Sequence, residues 1–415
     1  MFDKVKKLIY SLLLKSQKLT GTDNIYIAKF GSYLTAGNII GLATAFILSI
    51  AFARLPKDIY GDYRYIFSIF GLLSIFSLQG MNNAITQGVA QGYEKTLLTG
   101  LKTKLKWSSL GSLASIGIGI YFLANGNNKF AISFLIVAFF LPLFKGWEIY
   151  QFYLNGKKLF DKRTIYTVSI QIISTACIVM SLFLTKNLII LILVYFVSYS
   201  ALRGISLWLV LKKYPPNNQD DSKFISYGKH LSVMQILSII AQELDSLLLF
   251  SFLGPDKLAI YSFAILPVQR FRDPIQGLQE LALPKFSVKS TESIKKTLPP
   301  KLIKATIIMI ILITTYILLA PFFYKIFYPQ YSDSIKYSQL YALTLLLFPV
   351  SMMLLAIQSQ MKTRALYKIN TILPIVQIIF LVVFGYFYGI WGFIIAQLAS
   401  MIFQFLLVYF FFRRM

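Results

Sequence analysis

The chain is a succession of long apolar runs separated by short polar segments. Each run has about 18 or more residues, the length an α-helix needs to cross roughly 30 Å of hydrocarbon at about 1.5 Å per residue. The pattern therefore predicts an all-α polytopic membrane protein of about twelve transmembrane helices. The predicted spans are residues 31–53, 65–87, 107–124, 130–154, 164–185, 188–211, 224–253, 258–283, 305–327, 337–360, 368–388 and 390–412.

The N-terminal residues follow a different pattern, because their apolar positions repeat with helical spacing between lysines. Over residues 2–18 the apolar side chains fall on one helical face and the lysines lie away from it. This pattern predicts an interfacial amphipathic helix on an anionic membrane surface. The segment has no long apolar region and no small-residue cleavage site, so we do not expect a cleavable signal peptide.

A short motif recurs in the two halves of the chain at the same spacing. Leu55-Pro56-Lys57-Asp58 is followed by Tyr63, and Leu253-Gly254-Pro255-Asp256 is followed by Tyr261. Both copies come after the first span of a predicted six-span half. Because six is an even number, both halves enter the membrane in the same orientation, which predicts a parallel repeat.

The repeat divides the predicted architecture into two lobes. Residues 1–211 form the N-terminal six-helix lobe, which carries the interfacial helix, and residues 212–415 form the C-terminal six-helix lobe. We expect a parallel pseudo-two-fold axis along the membrane normal to relate the lobes, with a central cavity between them.

Composition supports the membrane interpretation. Hydrophobic residues make up 57% of the chain and charged residues 14%, whereas a soluble domain has about 25% charged residues. The chain has one cysteine, Cys177, and one histidine, His230. We therefore expect no disulfide framework, no metal site and no cofactor.

The net charge of +25 is explained by the loops. About 29 basic residues lie in one set of alternate loops with the two termini, and about 8 lie in the other set. Lysine and arginine accumulate on the cytoplasmic side, so we expect a multi-pass protein of the bacterial cytoplasmic (inner) membrane with both termini in the cytoplasm. We do not expect a nucleic-acid partner, because the orientation signal accounts for the charge.

The loops on the predicted outer side are short. The longest, residues 54–64 and 328–336, have about ten residues each. A membrane glycosyltransferase or polymerase that acted on the outer face would need a larger loop to build its site, whereas a transporter would not. We therefore predict a transporter and no enzyme, with Arg54 and Asp58 in a gating loop.

Ionisable residues inside hydrocarbon are costly, so each is a candidate for function. Arginine forms bidentate hydrogen bonds with phosphate oxygens, so embedded cations are predicted to bind an anionic headgroup. Local ion pairs are the alternative where an acid follows at i+3, as Glu148 and Asp273 do. The candidate cations are Lys145, Arg203, Arg270 and Arg272.

Embedded acids are the candidates for coupling transport to a gradient of H⁺ or Na⁺. Asp245 is the first candidate and Glu243 the alternate, and for both the other interpretation is an ion pair with an arginine on a neighbouring helix. Glu148 and Asp273 complete the predicted set.

Neutral polar side chains in the spans suit the hydroxyl groups of a sugar. We predict substrate contacts from Asn38, Asn82 and Gln276. Hydrogen bonding between helices is the alternative role for such amides.

Two stretches carry a family resemblance. The first combines residues 37–41, Gly-Asn-Ile-Ile-Gly, with residues 53–63, and the second is residues 245–256 followed by Ala259-Ile260-Tyr261. They resemble the opening of Wzx-type polysaccharide flippases and the seventh helix of these proteins with its following loop. Such flippases share the multidrug/oligosaccharidyl-lipid/polysaccharide (MOP) exporter superfamily with the multidrug (MATE) exporters and the lipid II flippase MurJ.

The resemblance implies a function. Such proteins move undecaprenyl-diphosphate-linked oligosaccharides, for example O-antigen units of lipopolysaccharide, between leaflets by alternating access coupled to an ion gradient. The implied partners are the lipid-linked glycan, membrane lipids and other membrane proteins of polysaccharide assembly. The twelve predicted spans depart from MurJ, which has two more helices. The alternative is a MATE-like small-molecule antiporter of the same fold, for which embedded acids would dominate the cavity.

Overall fold

The computed structural model describes residues 24–287, 290–360 and 362–415, with side chains from residue 36 onward except those of 273–285 and 287. The described residues are helical almost throughout and contain no β-strand. The all-α prediction is therefore confirmed. The predicted interfacial helix at residues 2–18 lies outside the described residues.

The first half of the chain runs up to the end of α8. A 3₁₀ turn, Ser74–Ser77, joins helix α2 (Lys57–Leu73) to helix α3 (Met81–Ala90). Leu78, directly after this turn, adopts a left-handed backbone with φ 52°. The two segments meet there at an angle of 46°. The helices are α1 Asn24–Phe52, α2 Lys57–Leu73, α3 Met81–Ala90, α4 Thr96–Ala124, α5 Asn128–Trp147, α6 Tyr150–Gly156, α7 Phe160–Leu184 and α8 Leu188–Lys213.

The second half begins at α9. Gly254, with φ 83°, ends α9 and Pro255 begins α10, in agreement with the preference for glycine after a helix and proline at its first position. The helices are α9 Ser222–Leu253, α10 Pro255–Ser287, α11 Thr291–Phe327, α12 Ile335–Tyr341, α13 Leu347–Ser359 and α14 Thr363–Arg413.

Helix α14 holds two of the predicted spans. Its 51 residues would extend for about 76 Å if straight, more than twice the thickness of a bilayer core. Gly389 interrupts the helix with φ 57° and ψ −138°, at the boundary predicted between residues 388 and 390. Only glycine adopts such a backbone without strain.

Eight helical segments of the described residues are long and apolar enough to cross a membrane, or nine when the bent pair α2 and α3 is included. Helix α10 is not among them; it carries Arg270 and Arg272 within its apolar stretch. The prediction of a multi-pass membrane protein is confirmed. Twelve spans in two lobes stays a prediction.

The two copies of the repeated motif meet at one end of the bundle, called here the Pro56 end. The first copy begins α2 and the second begins α10. The helices touch at Gly61, where a Cβ atom would lie 2.5 Å from the carbonyl carbon of Pro255. Glycine at this position therefore allows the two halves to pack backbone against backbone.

The opposite end, called here the Glu94 end, fixes the connection between the halves. The segment between α8 and α9 lies against the turn after α3: the Asn217 amide donates to the Gly92 carbonyl at 2.8 Å, and the backbone N–H of Asn217 donates to Glu94 Oε2 at 3.1 Å. Lys157 pairs with the same carboxylate at 3.0 Å.

Gly61→Ala is expected to destabilise the protein by about 1–3 kcal/mol, because the added methyl group must displace the backbone of Pro255. Thermal unfolding of the purified protein in detergent measures the change. The matched control is Gly117→Ala in α4, where a Cβ would meet nothing within 4 Å. Equal unfolding midpoints for the two variants would contradict the close contact.

Candidate substrate cavity and buried charges

A cavity of about 420 Å³ lies between α1, α7, α8 and α10. It extends from the start of α7, on the Glu94 side, to Leu48, one helical turn from the Pro56 end. Its lining along α1, from Gly37 to Leu48, covers about 16 Å at 1.5 Å per residue. Helices of both halves of the chain therefore enclose it.

The lining of the cavity combines positive charge with neutral polar groups. Arg163 and Arg270 supply the charge, and Asn38 and Gln171 supply amides. The Gln171 amide also donates to the Gly41 carbonyl at 3.2 Å, which joins α7 to α1. The hydroxyl groups are those of Thr164, Thr167, Thr175, Tyr195 and Tyr199. Of the predicted substrate residues, the structure thus brings Asn38 and Arg270 together.

Aromatic rings close the Pro56 end above the cavity. This aromatic seal comprises Phe52, Tyr60, Tyr63, Phe263, Tyr328 and Tyr331, all of them buried. The ring of Phe263 lies 4.8 Å from that of Tyr60 and 3.8 Å from that of Tyr331. The Tyr328 hydroxyl shares a 2.7 Å hydrogen bond with Ser49 of α1. The seal therefore joins the first half of the chain to the second.

Charged groups surround the seal on its exposed side. Lys57 of the first half forms a 2.9 Å ion pair with Asp333 of the second half. The predicted gating residues Arg54 and Asp58 are exposed at the same end, and Arg54 lies 5.4 Å from the Phe183 ring. Lys57 is the residue of this turn that forms the ion pair between the halves. The gating role of Arg54 and Asp58 stays a prediction.

A cluster of buried charges lies within the first half, at α3, α4, α5 and α8. Glu148 is its centre: it pairs with Arg203 at 3.1 Å and with Lys104 at 3.7 Å. Lys104 is fully buried and donates to the Asn82 side chain at 2.6 Å. Arg203 also donates to the Phe144 carbonyl at 2.7 Å and stacks on the Phe144 ring at 3.9 Å.

Four of the predicted site residues therefore belong to one cluster: Asn82, Lys145, Glu148 and Arg203. Arg203 has no acidic residue at helical spacing, and its partner comes from another helix. Glu148 acts as counter-ion to two cations, which favours the ion-pair alternative for it. Its part in ion coupling, and the substrate contacts of the other three residues, stay predictions.

The two acids of α9 have different surroundings. Asp245 is buried and accepts hydrogen bonds from Tyr261 Oη at 2.7 Å and from the Ser246 hydroxyl at 3.2 Å. Glu243 instead reaches α2, where a Cβ atom on Gly71 would lie 2.5 Å from its Cδ atom. Arg64, Asp245 and Lys145 lie within electrostatic range of Glu243.

Two cations that lie outside the predicted spans belong to helices in the structure. Arg64 had been counted with the outer loops, yet it lies within α2, and its Nε atom is buried without a hydrogen-bond partner in the described part of the chain. Lys104 lies between the predicted spans 65–87 and 107–124, yet it is the buried lysine of the cluster. Both lie near the end of an apolar run, where hydropathy does not distinguish a loop from a buried turn of helix.

The remaining predicted residues lie on α10. Arg272 is close enough to Tyr341 to interact with it electrostatically and does not line the cavity. The side chains of Asp273 and Gln276 lie outside the described residues, so their roles stay predictions.

More than half of the chain matches a known protein family. The model of the polysaccharide biosynthesis protein family matches residues 27–269, more than half of the 415-residue chain. The chain belongs to this family. A search of curated proteins finds no match.

Solved structures share the fold of this family member at low sequence identity. The lipid II flippase MurJ in an inward closed conformation matches with a TM-score of 0.60 and 17% identity, over 92% of this chain and 87% of that one. An outward-facing MATE multidrug resistance transporter matches with a TM-score of 0.58 and 13% identity, over 93% and 96%.

A third match is a MOP superfamily transporter from Pyrococcus furiosus whose binding pocket is described as having reverse polarity. It matches with a TM-score of 0.56 and 12% identity, over 93% of this chain and 96% of that one. The predicted MATE/MurJ-like fold is confirmed by these matches. At such identities they show the fold alone, and the Wzx-type assignment stays a prediction.

Glu148→Ala is expected to destabilise this family member by about 3–5 kcal/mol, because it leaves Lys104 and Arg203 without a counter-ion in a buried site. The unfolding midpoint in detergent measures the loss. Asp161→Ala is the control: it removes the acid of the half-exposed pair with Lys162 and should change stability by at most about 1 kcal/mol. A Glu148 variant as stable as the control would contradict the buried ion cluster.

Proposed function

We propose that this protein is a flippase that moves an undecaprenyl-diphosphate-linked oligosaccharide across the bacterial cytoplasmic membrane. Two six-helix lobes alternate access to the central cavity, driven by a gradient of H⁺ or Na⁺. The substrate enters from the cytoplasmic side, which corresponds to the Glu94 end, and leaves at the Pro56 end. Membership of the polysaccharide biosynthesis family supports a glycan substrate.

The observation that carries this proposal is the lining of the cavity between the halves. A lipid-linked diphosphate sugar presents two phosphate groups next to many hydroxyl groups. Guanidinium groups suit the phosphates because they donate hydrogen bonds in pairs. Amide and hydroxyl groups suit the sugar, and the lining has both on α1, α7 and α8 beside Arg270 of α10.

The position of Arg270 supports its role as a phosphate-binding residue. It lines the cavity and lies within electrostatic range of Tyr60 and Tyr328 of the aromatic seal. In this proposal the diphosphate binds in the cavity below the seal, against the Arg270 guanidinium group.

The contacts at the Pro56 end support alternating access. The lysine–aspartate pair of Lys57 and Asp333, the rings of the seal and the backbone contact at Gly61 all join the two halves. They break together when the halves rotate apart at this end. The structure therefore corresponds, in the proposed cycle, to a state closed towards the outer leaflet.

Reconstituted protein tests the proposal. Undecaprenyl-diphosphate oligosaccharide is placed in proteoliposomes, and its appearance in the opposite leaflet is followed under an imposed proton or sodium gradient. We expect gradient-dependent transfer, reduced about 10- to 100-fold by Arg270→Ala, because a charge-assisted hydrogen bond contributes about 1.5–3 kcal/mol. Lys212→Ala is the control, since this lysine is exposed beside Trp208.

One result would contradict the flippase, and another would contradict the role of Arg270. Wild-type protein that moves no lipid-linked oligosaccharide but expels an organic cation would be a small-molecule antiporter of the same fold. The embedded acids Glu243 and Asp245 are the feature that favours this alternative. Normal transfer by the folded Arg270→Ala variant would instead keep the flippase and remove Arg270 from the substrate site.

A further inference from the structure

A second pocket lies at the Pro56 end, and its lining residues all belong to the second half of the chain. It has a volume of about 440 Å³ and lies between α10, α12, α14 and the 3₁₀ turn Pro329–Ser334. We call it the Lys257 pocket, after one of the two lysines that line it, Lys257 and Lys336. We propose that this pocket binds the phosphate group of an anionic phospholipid, and that the bound lipid stabilises the contact between the halves at this end.

The first observation is the positive charge of the pocket. Lys257 lies in the first turn of α10 and Lys336 near the start of α12, and both side chains are exposed. Neither lysine forms an ion pair or a hydrogen bond with another residue that the structure describes. Each ammonium group has three N–H donors and binds phosphate as a point charge. Two such groups on one pocket therefore suit a phosphate diester.

The acid that lines the pocket is compensated from outside it. Asp333 is the acidic lining residue, and its carboxylate pairs with Lys57 of α2 at 2.9 Å. The negative charge of Asp333 is thus balanced by the first half of the chain. The charge of the two pocket lysines consequently stays available for an anion that enters from the membrane surface.

The remaining lining residues match the other parts of a phospholipid. Ser332 and Tyr337 contribute hydroxyl groups, which suit the oxygens of a glycerol headgroup. Ile260 and Ile390 contribute buried apolar side chains, which suit the beginning of an acyl chain. A soluble inorganic anion would leave this apolar part of the pocket unused.

The second observation is a group of exposed aromatic side chains beside the pocket. Tyrosine and tryptophan accumulate at membrane–water interfaces, at the depth of the lipid headgroups. Tyr388 and Trp391 stand on either side of Ile390 in α14 and are 62% and 42% exposed. The ring of Trp391 lies 4.6 Å from the ring of Tyr337, which lines the pocket. A lipid whose acyl chains cover α14 therefore has its phosphate at the level of the two lysines.

Asp333 links the pocket to the contact between the halves. When the pair with Lys57 breaks, the carboxylate of Asp333 becomes an uncompensated negative charge in the pocket. This charge repels a phosphate group and competes with it for the lysines. The lipid therefore binds more tightly while the Lys57–Asp333 pair is formed. By thermodynamic reciprocity, bound lipid favours the pair and keeps the halves together at the Pro56 end.

Tryptophan fluorescence in liposomes tests the pocket. Phosphatidylglycerol or phosphatidylcholine with brominated acyl chains quenches tryptophans that it contacts, and the signal of Trp391 is the part that Trp391→Phe removes from the four tryptophans of the chain. We expect phosphatidylglycerol to be preferred over phosphatidylcholine at Trp391 by about 5- to 30-fold, because each lysine near a membrane surface attracts anionic lipid. The double variant Lys257→Ala/Lys336→Ala should lose this preference.

The matched control removes the same charge elsewhere at this end. Lys186 follows α7 and Lys325 lies in the last turn of α11, and both are exposed. Lys186→Ala/Lys325→Ala should keep the preference for phosphatidylglycerol at Trp391. No preference in the wild type, or equal losses in the two double variants, would overturn the pocket.

A soluble phosphate ester is the other source of the same chemistry. Glycerol 3-phosphate is therefore added to the protein in detergent without phospholipid, and the unfolding midpoint is measured. A rise in the midpoint that depends on Lys257 and Lys336, in protein whose Trp391 shows no preference for phosphatidylglycerol, would assign the pocket to a soluble ester and overturn the lipid.

Three variants test the link through Asp333. Lys57→Ala should lower the preference for phosphatidylglycerol by about 2- to 5-fold, the range expected for one exposed ion pair. Lys57→Ala/Asp333→Asn should restore it, because the uncompensated carboxylate is gone. Lys57→Ala/Asp58→Asn has the same net charge as this second variant but keeps Asp333 unpaired, so it should not restore the preference. Equal preferences in the two double variants would overturn the link.

The lipid site does not depend on the proposed function, although its effect on alternating access does. Lysine-dependent preference for phosphatidylglycerol in protein that transfers no lipid-linked oligosaccharide would retain the pocket and contradict the flippase. Gradient-dependent transfer by protein without this preference would retain the flippase and overturn the pocket.

Discussion

Charge enclosed by hydrocarbon must be compensated, and much of this structure depends on that requirement. Lys104 is fully buried among helices and its charge is balanced by Glu148, which also pairs with Arg203 from α8. These pairs join α4, α5 and α8 into one block within the first half. Because each partner comes from a different helix, the cluster also fixes how those helices are rotated about their axes.

Glycine contacts determine where the two halves can touch. Gly61 lets the start of α10 lie against α2, Gly71 admits the Glu243 carboxylate, and Gly80 brings α3 against the backbone of Ser232. Packed cores are bistable and not continuously deformable. Contacts without spare space therefore make or break as a set, as the proposed rotation of the two halves requires.

The fold by itself does not decide what is carried. The same helix arrangement is found in the lipid II flippase MurJ and in MATE multidrug transporters, so the chemistry of the cavity has to supply the specificity. Here arginines share that cavity with amides and hydroxyls, and the embedded acids lie apart from its lining. This division separates the positively charged, polar lining of the cavity from the embedded acids.

The sequence by itself determined the helical architecture and the membrane class, because apolar runs are local features. It also placed the break at Gly389. Tertiary structure alone decided that Arg203 pairs with Glu148, that Lys104 is fully buried in α4, that the Nε atom of Arg64 is buried in α2, and that Glu243 contacts the first half while the hydrogen-bond partners described for Asp245 lie in the second. The physical reason is that a charge is compensated through space, and its partner can lie on any helix that packing brings within a few ångströms.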